Sequence, residues 1–333
     1  MKTAFFEVKD WEKDIIPEYA QKLEADVYFE EIEENIESAK EYEILSTFIY
    51  SDLGEKILKK LPKLKMIATR STGFDHIDLE YCSANNIAVC SVPSYGEHTV
   101  AEHAFALILA LSRKIVEGAQ RVQQGGFSPV GLTGFDLKGK TLAVIGIGNI
   151  GKWMVRYARA FSMNVLGVTR SRDKNEEKKL GYTWCNLDLA LKEADIVSLH
   201  LPYLPSTHHL INRDNIKNMK PGSLLINTSR GPIVETEAIL WALEEGILGG
   251  AGLDVLEEEE KLDKPWGLFD KFISKDDLQE LVTAHVLREK KNVIITPHNA
   301  FNTIEAVERI VQTTHENISS FLEDKPVNLV NIK

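Results

Sequence analysis

Residues 141–168 read, in order, "TLAVI", "GIGNIG", "KWMVRYARAFSM" and "NVLGV". Two short apolar runs separated by a glycine turn and a helical stretch cannot fold back as a hairpin. They pair side by side in parallel, with the helix as the crossover. The turn carries the spacing Gly146-x-Gly148-x-x-Gly151. Such a spacing is weak evidence alone, but here it follows a strand and opens a helix, the context a dinucleotide fingerprint requires. Gly146 permits the turn, Gly148 lets backbone approach a pyrophosphate, and Gly151 lets the helix pack close to the sheet. The pyrophosphate would take N–H bonds near Asn149 and Ile150, at the helix start.

The same alternation runs through the rest of the chain. "TAFFEV", "DVYFE", "ILSTFIY", "KMIATRS" and "IAVCSV" precede this unit, and "ADIVSLHLP", "GSLLINTS", "GGAGLDV" and "NVIITPH" follow it. Strands separated by helical stretches predict parallel βαβ winding. With 333 residues there is material for two such domains. Between them, 98–126 is expected to be one long helix passing from one domain to the other and stopped by Gly125-Gly126. The charged stretch 256–291 shows no strand pattern and is expected to be a loop plus one or two surface helices. The tail from Thr303 is expected to be a closing amphipathic helix.

Composition narrows the partners. A net charge of −11 argues against a nucleic-acid backbone, which needs a basic face. An anionic ligand must then be held by local cations or backbone N–H groups. Cys82, Cys90 and Cys185 form no paired spacing, which fits reduced thiols and no metal site. The start of the chain is too weakly apolar for a signal peptide, and the longest apolar run is about half a membrane span. A cytoplasmic protein with a small-molecule substrate is expected, with no membrane and no nucleic-acid partner.

Several unusual residues share one kind of position. Leu201 and Pro202, Thr228, Ser229 and Arg230, Asp254, and His298 each follow a predicted parallel strand. In an open α/β sheet the carboxyl ends of the strands border the ligand crevice. Taken singly, Arg230 reads as a solvated loop arginine, His298 as a core histidine, and any of Glu257–Glu260 as a solvated carboxylate. As a set they have a chemistry. An arginine clamps a carboxylate in two places. A histidine gives and recovers a proton near neutral pH, and a carboxylate beside it favours the charged ring and fixes its orientation. After the second strand of the glycine unit, where an acid would hold an adenosine ribose, stand Thr169, Arg170, Ser171 and Arg172. No carboxylate at Thr169 repels a 2′-phosphate, and Arg170 or Arg172 could pair with one. NAD(H), with NADP(H) tolerated, is the cofactor expected.

"STGFDHID" (71–78), "TVAEHAFALILAL" (99–111), "GIGNIG", "ADIVSLHLP" with Thr207 soon after, "INTSRG", "GLDVLEEEE" and "TPHNA" stand in this order. In these motifs the whole chain resembles the D-isomer-specific 2-hydroxyacid dehydrogenases, most of all their D-lactate dehydrogenase branch. The resemblance implies two doubly wound parallel-sheet domains. A Rossmann dinucleotide domain, 99–298, would be inserted into a discontinuous flavodoxin-like substrate domain, 1–98 plus 299–333. It implies a catalytic set of Arg230, Glu259 and His298, with Glu259 chosen from four glutamates as the fifth residue after Asp254. Thr207 joins the cofactor residues. Backbone N–H groups at Thr72, Gly73 and Phe74 would meet the substrate carboxylate, with Tyr95 and Phe301 as pocket walls.

The activity so implied is reversible reduction of a small 2-keto acid, pyruvate first, to the D-2-hydroxy acid, by an enzyme that is a homodimer through the long helix and the 126–139 loop. A glyoxylate or hydroxypyruvate reductase differs only in pocket size. A dinucleotide-sensing corepressor-like scaffold keeps the same residues and differs in lacking turnover.

Overall fold

The computed structural model describes residues 1–257, 259 and 275–331. Two compact units are formed, one by Met1–Gly96 and the chain from Phe301 onward, the other by Glu97–Ala300.

The first unit is built on a sheet of β1 (Thr3–Phe5), β2 (Asp26–Val27), β3 (Ile44–Thr47), β4 (Met66–Thr69) and β5 (Ala88–Cys90). Its order is β2-β1-β3-β4-β5, all pairs parallel, which is the flavodoxin order. Ala4, Leu45, Ile67 and Val89 enter one apolar core, while Phe5, Ile44, Met66, Ala68 and Cys90 enter the other. Burial on both faces is why these strands read as unbroken apolar runs rather than alternating ones. The closing helix, Ile304–Leu322, starts where the Thr303 hydroxyl accepts the Ala306 N–H at 3.2 Å. It sends Val311 and Ile318 into the second core, each contributing about 1.5–3 kcal/mol by burial. Covering that face is what returns the C-terminal segment to this unit.

The second unit holds β6 (Thr141–Ile145), β7 (Asn164–Val168), β8 (Thr183–Trp184), β9 (Ile196–Leu199), β10 (Ser223–Asn227), β11 (Leu248–Leu253) and β12 (Val293–Ile295). Their order is β12-β11-β10-β9-β6-β7-β8, again all parallel. The order reverses between β6 and β9, the switch point at which doubly wound sheets bind nucleotides. β8 has two residues, too few to show a strand pattern in the sequence.

The expected single helix over 98–126 is instead two, Glu97–Ser112 and Ile115–Gln123. Lys114 between them is left-handed, with φ 51°. The cause is distant in sequence: the Ser112 carbonyl accepts the Phe135 N–H at 2.9 Å. Gly134 lies so close that a Cβ there would stand 2.0 Å from that carbonyl oxygen. The second helix buries none of its residues. With Phe127 93% and Val130 79% exposed just beyond it, this segment has the apolar surface of a protein–protein contact. The homodimer expected there is a proposal that light scattering on the full chain decides.

Of the charged stretch 256–291, the helix Lys275–Glu289 is described; residues 260–274, and the alternatives Glu258 and Glu260, lie outside the described residues. No described helix is long and apolar enough to cross a membrane.

The crossings between units fall after Gly96 and after Ala300, rather than after 98 and 298. Hydrogen bonds explain the second shift. Asp254 at the end of β11 accepts the His298 N–H on its carbonyl, and its carboxylate accepts the Asn299 and Ala300 N–H groups, all at 2.8 Å. Residues 298–300 are thereby tied to the second sheet.

Candidate active site

The glycine turn is as tight as its sequence implies. Gly146 has φ +99°, and a Cβ there would lie 2.3 Å from the His200 carbonyl. At Gly151 a Cβ would lie 2.0 Å from the Gly146 carbonyl, whereas at Gly148 it would meet nothing within 4 Å. Gly148 caps the helix Asn149–Ala160 without any side-chain bond to the first turn. The first N–H groups of that helix, at Asn149, Ile150 and Gly151, therefore face an open backbone cradle at the positive end of the helix dipole. Two further buried polar atoms stand without a partner at neighbouring strand ends, His200 Nδ1 after β9 and Thr228 Oγ1 after β10. A cradle open at Gly148 and unpartnered polar atoms at the neighbouring strand ends fit a dinucleotide.

The other cofactor candidates divide. Thr169 follows β7, and its hydroxyl donates to the Ser171 carbonyl at 2.7 Å. Arg172 is taken up by Glu177, in two bonds of 2.9 and 3.1 Å. Asp173 caps the next helix, accepting the Asn175 and Glu176 N–H groups. Arg170 is exposed and makes no hydrogen bond or ion pair among the described residues. Of the two arginines weighed for a 2′-phosphate, Arg170 alone is uncommitted. Leu201 and Pro202 open a turn closed by Thr207, whose hydroxyl donates to the Pro202 carbonyl at 2.9 Å and accepts the Leu204 N–H at 2.8 Å.

After β10 the chain turns sharply. The Asn227 amide donates to the Arg230 carbonyl at 2.9 Å, and its oxygen accepts the Ser229 N–H and hydroxyl. Arg230, half-buried and extended, donates from Nη1 to the Ser229 carbonyl at 2.8 Å. Gly231 and Pro232 then enter a 3₁₀ turn, Gly231–Ile233.

His298 sits two residues beyond Thr296 in the left-handed region, φ 47°. For a histidine this conformation needs support, and Asp254 supplies it through the bonds to 298–300. Asp254 is 1% exposed, and the Thr296 hydroxyl also donates to its carboxylate at 2.5 Å. Asp254, expected from its sequence position among the cofactor residues, also turns its carboxylate to the histidine loop. His103, from the helix Glu97–Ser112, completes this cluster, with Nε2 3.0 Å from Thr296 Oγ1 and 3.4 Å from Asp254 Oδ1. Nothing local in the sequence marks His103, since it is 151 residues from Asp254.

The imidazole of His298 meets Glu259, Nδ1 to Oε1 2.7 Å. The other oxygen of Glu259 accepts the Leu256 N–H at 3.1 Å. Glu257, by contrast, turns to His209 and Thr236. Desolvation pushes His200 down to about 3, so this ring, bonded to the Ser198 hydroxyl at 2.8 Å, stays neutral. In the first unit, burial raises Cys82 and Cys90 to about 12 and about 11, so neither is a thiolate nucleophile at neutral pH.

In the first unit, Thr72, Gly73 and Phe74 follow β4. The Thr72 hydroxyl donates to the Val92 carbonyl at 2.7 Å. None of the three backbone N–H groups donates to another described residue, a donor set of the kind a carboxylate binds. The Tyr95 carbonyl accepts from Arg309 Nε. Phe301, 8% exposed, packs edge-on against Trp11 and tilted against Phe48, at 6.0 and 5.3 Å.

Comparison with known proteins gives the family. Residues 105–300 match the family model for the NAD-binding domain of D-isomer-specific 2-hydroxyacid dehydrogenases. The chain is 36% identical over 304 residues to a glyoxylate reductase of Thermococcus litoralis, covering 89% of this chain and 86% of that one. Among solved structures it is similar to a D-lactate dehydrogenase from Aquifex aeolicus, complexed with NAD and lactic acid, at 37% identity, TM-score 0.88 and 99% of each chain. It is similar also to the pyruvate reductase of Chlamydomonas reinhardtii, at 33% identity, TM-score 0.88 and 98% of each chain. The chain belongs to the D-isomer-specific 2-hydroxyacid dehydrogenases, with a Rossmann NAD-binding domain.

Proposed function

We propose that this chain reversibly reduces a small 2-keto acid to the D-2-hydroxy acid, with pyruvate and D-lactate as the first pair. The observation that carries it is the 2.7 Å contact of His298 Nδ1 with Glu259, in the same unit as Arg230 at the end of β10. A nicotinamide dinucleotide, when bound, would supply the hydride for the carbonyl carbon. The protein residues do the rest. With Nδ1 held by Glu259, Nε2 is the ring atom left to give its proton to the carbonyl oxygen. Arg230 grips the carboxylate, a charged hydrogen bond that contributes roughly 1.5–3 kcal/mol. In the oxidative direction His298 takes the hydroxyl proton back. The glycine turn and the first N–H groups of the helix Asn149–Ala160 would hold the pyrophosphate.

The similarity to the Aquifex aeolicus D-lactate dehydrogenase complexed with NAD and lactic acid supports pyruvate as the first substrate. A glyoxylate reductase is the second reading, supported by the similarity to the Thermococcus litoralis enzyme. A steady-state panel of pyruvate, glyoxylate, hydroxypyruvate and 2-ketobutyrate, each with NADH and NADPH, tests both. Pyruvate is expected to give the highest kcat/KM; a much higher value for glyoxylate or hydroxypyruvate transfers the assignment. No turnover of any 2-keto acid overturns the enzyme reading in favour of a scaffold. In the same panel NADPH is expected to be used, because Arg170 is uncommitted. A preference for NADH above about 100-fold, some 2.7 kcal/mol, would contradict that role for Arg170.

A further inference from the structure

Four glutamates run together at 257–260, and the two described ones part company. Glu259 turns to His298. Glu257 turns away from the chemistry and, with a side chain only 9% exposed, is fully engaged. Its Oε1 lies 2.6 Å from His209 Nε2. Its Oε2 accepts the Thr236 N–H at 2.7 Å and the Thr236 hydroxyl at 2.6 Å. Thr236 opens the helix Thr236–Glu244, whose own cap residue, Glu235, makes no side-chain bond to it. Glu257 therefore supplies, from 21 residues away, the negative charge that a helix start favours.

His209 is itself fixed. Its backbone is left-handed at φ 45°, and its N–H donates to the Pro232 carbonyl at 2.9 Å. Glu257 thus joins the segment around His209, the segment from Arg230 to Thr236, and the segment that ends in Glu259. The second and third also touch through backbone: a Cβ on Gly231 would stand 2.1 Å from the carbonyl carbon and oxygen of Leu256. The next link is the Leu256 N–H on Glu259 Oε2 at 3.1 Å, and the last is Glu259 Oε1 on His298. Position passes along this chain of contacts from an anchored carboxylate to the reacting ring.

We propose that Glu257, held by His209 and Thr236, is a positioning residue that sets Glu259 against His298 and fixes both relative to Arg230. The proposal rests on His298 being the proton donor. Glu257 touches no reacting atom; its role is to hold another carboxylate where the reaction needs it. Displacements of about 1 Å in such a set cost up to about 100-fold in rate.

The test compares Glu257→Ala, Glu257→Gln, His209→Gln and His298→Ala in the full chain, measuring kcat, keto-acid KM and the NADH dissociation constant. Glu257→Ala is expected to lower kcat by about 10-fold to 100-fold, with NADH affinity within about 2-fold of wild type. Glu257→Gln is expected to keep most of the rate. Its amide oxygen can still accept from Thr236, and its amide N–H can donate to a neutral His209. A purely structural residue would lower the melting temperature and leave kcat per folded molecule unchanged, and that result overturns the proposal. If Glu257→Ala does not fold, His209→Gln carries the test, with kcat expected to fall about 3-fold to 10-fold; an unchanged kcat there overturns it equally. If His298→Ala keeps full kcat, the proton-donor reading fails first. If His298→Ala loses rate and the Glu257 and His209 variants do not, the positioning role alone fails.

Discussion

Replacing His298 by alanine is expected to lower kcat by about 10²–10⁴-fold, the usual contribution of a general acid, while NADH binds as before. That loss corresponds to roughly 2.7–5.5 kcal/mol of barrier. The size follows from the loss of the one ring that Glu259 holds. His200, the other histidine at a strand end of this sheet, is driven to about 3 by desolvation and carries no proton to give. Glu259 is placed to face Nδ1 of the ring. The glycine turn belongs to a different strand end, so cofactor affinity, read by quenching of protein fluorescence, should not follow the rate. A variant that retained more than about a tenth of the wild-type kcat would mean that the proton comes from elsewhere.

The second large effect is on stability and lies in the first unit. Arg70 is wholly buried at the end of β4. Nε and Nη2 reach Glu12 at 2.8 and 3.2 Å, Nη2 also the carbonyls of Phe6 and Glu7 at 2.8 and 3.0 Å, and Nη1 the Ser46 hydroxyl at 3.1 Å. The arginine thus ties the chain just after β1 to β3 and to the end of β4. Removing one partner of a buried pair leaves the other charge uncompensated, which costs about 3–5 kcal/mol. Arg70→Met should lose that much in denaturant unfolding, and Arg70→Met with Glu12→Leu should recover a large part of it. Equal stability of Arg70→Met and wild type would contradict the account.

Glu7 adds a pH dependence to the same region. Burial alone would raise its pKa, but hydrogen bonds from Ser51 and Thr47 and the charge of Arg70 prevail and hold it below the ordinary carboxylate range. A folded-state value below the unfolded one contributes stability above the unfolded value, and that stability is lost as pH falls through the folded value. Arg70→Met weakens one of these causes, so the variant should lose stability at a higher pH on acidification than wild type does.

What the sequence reveals of this molecule depends on whether a feature is local. The strands were legible because each is buried on both faces, as at Leu45 and Ile67, so apolar runs and strand positions coincide. Arg230 and His298 were legible because strand ends in a parallel sheet share one border. Glu259 was not separable from its three neighbours by residue type, and only the family pattern singled it out. The break at Lys114 was hidden because it depends on Phe135 and Gly134 meeting the Ser112 carbonyl. Asp254 shows the same limit. Its position at a strand end is evident, but its bonds to Asn299 and Ala300 span 45 and 46 residues. Arg170 and Arg172 look equivalent in sequence, and the difference between them is Glu177.

The central claim is that the Arg230, Glu259 and His298 set reduces a 2-keto acid to one hand of the hydroxy acid. The direct measurement is chiral analysis of the lactate formed when the purified chain consumes pyruvate and NADH. D-lactate as essentially the sole product, formed in step with NADH oxidised and lost in His298→Ala, is the result expected. L-lactate, a racemic product, or NADH consumption that survives in His298→Ala would contradict it.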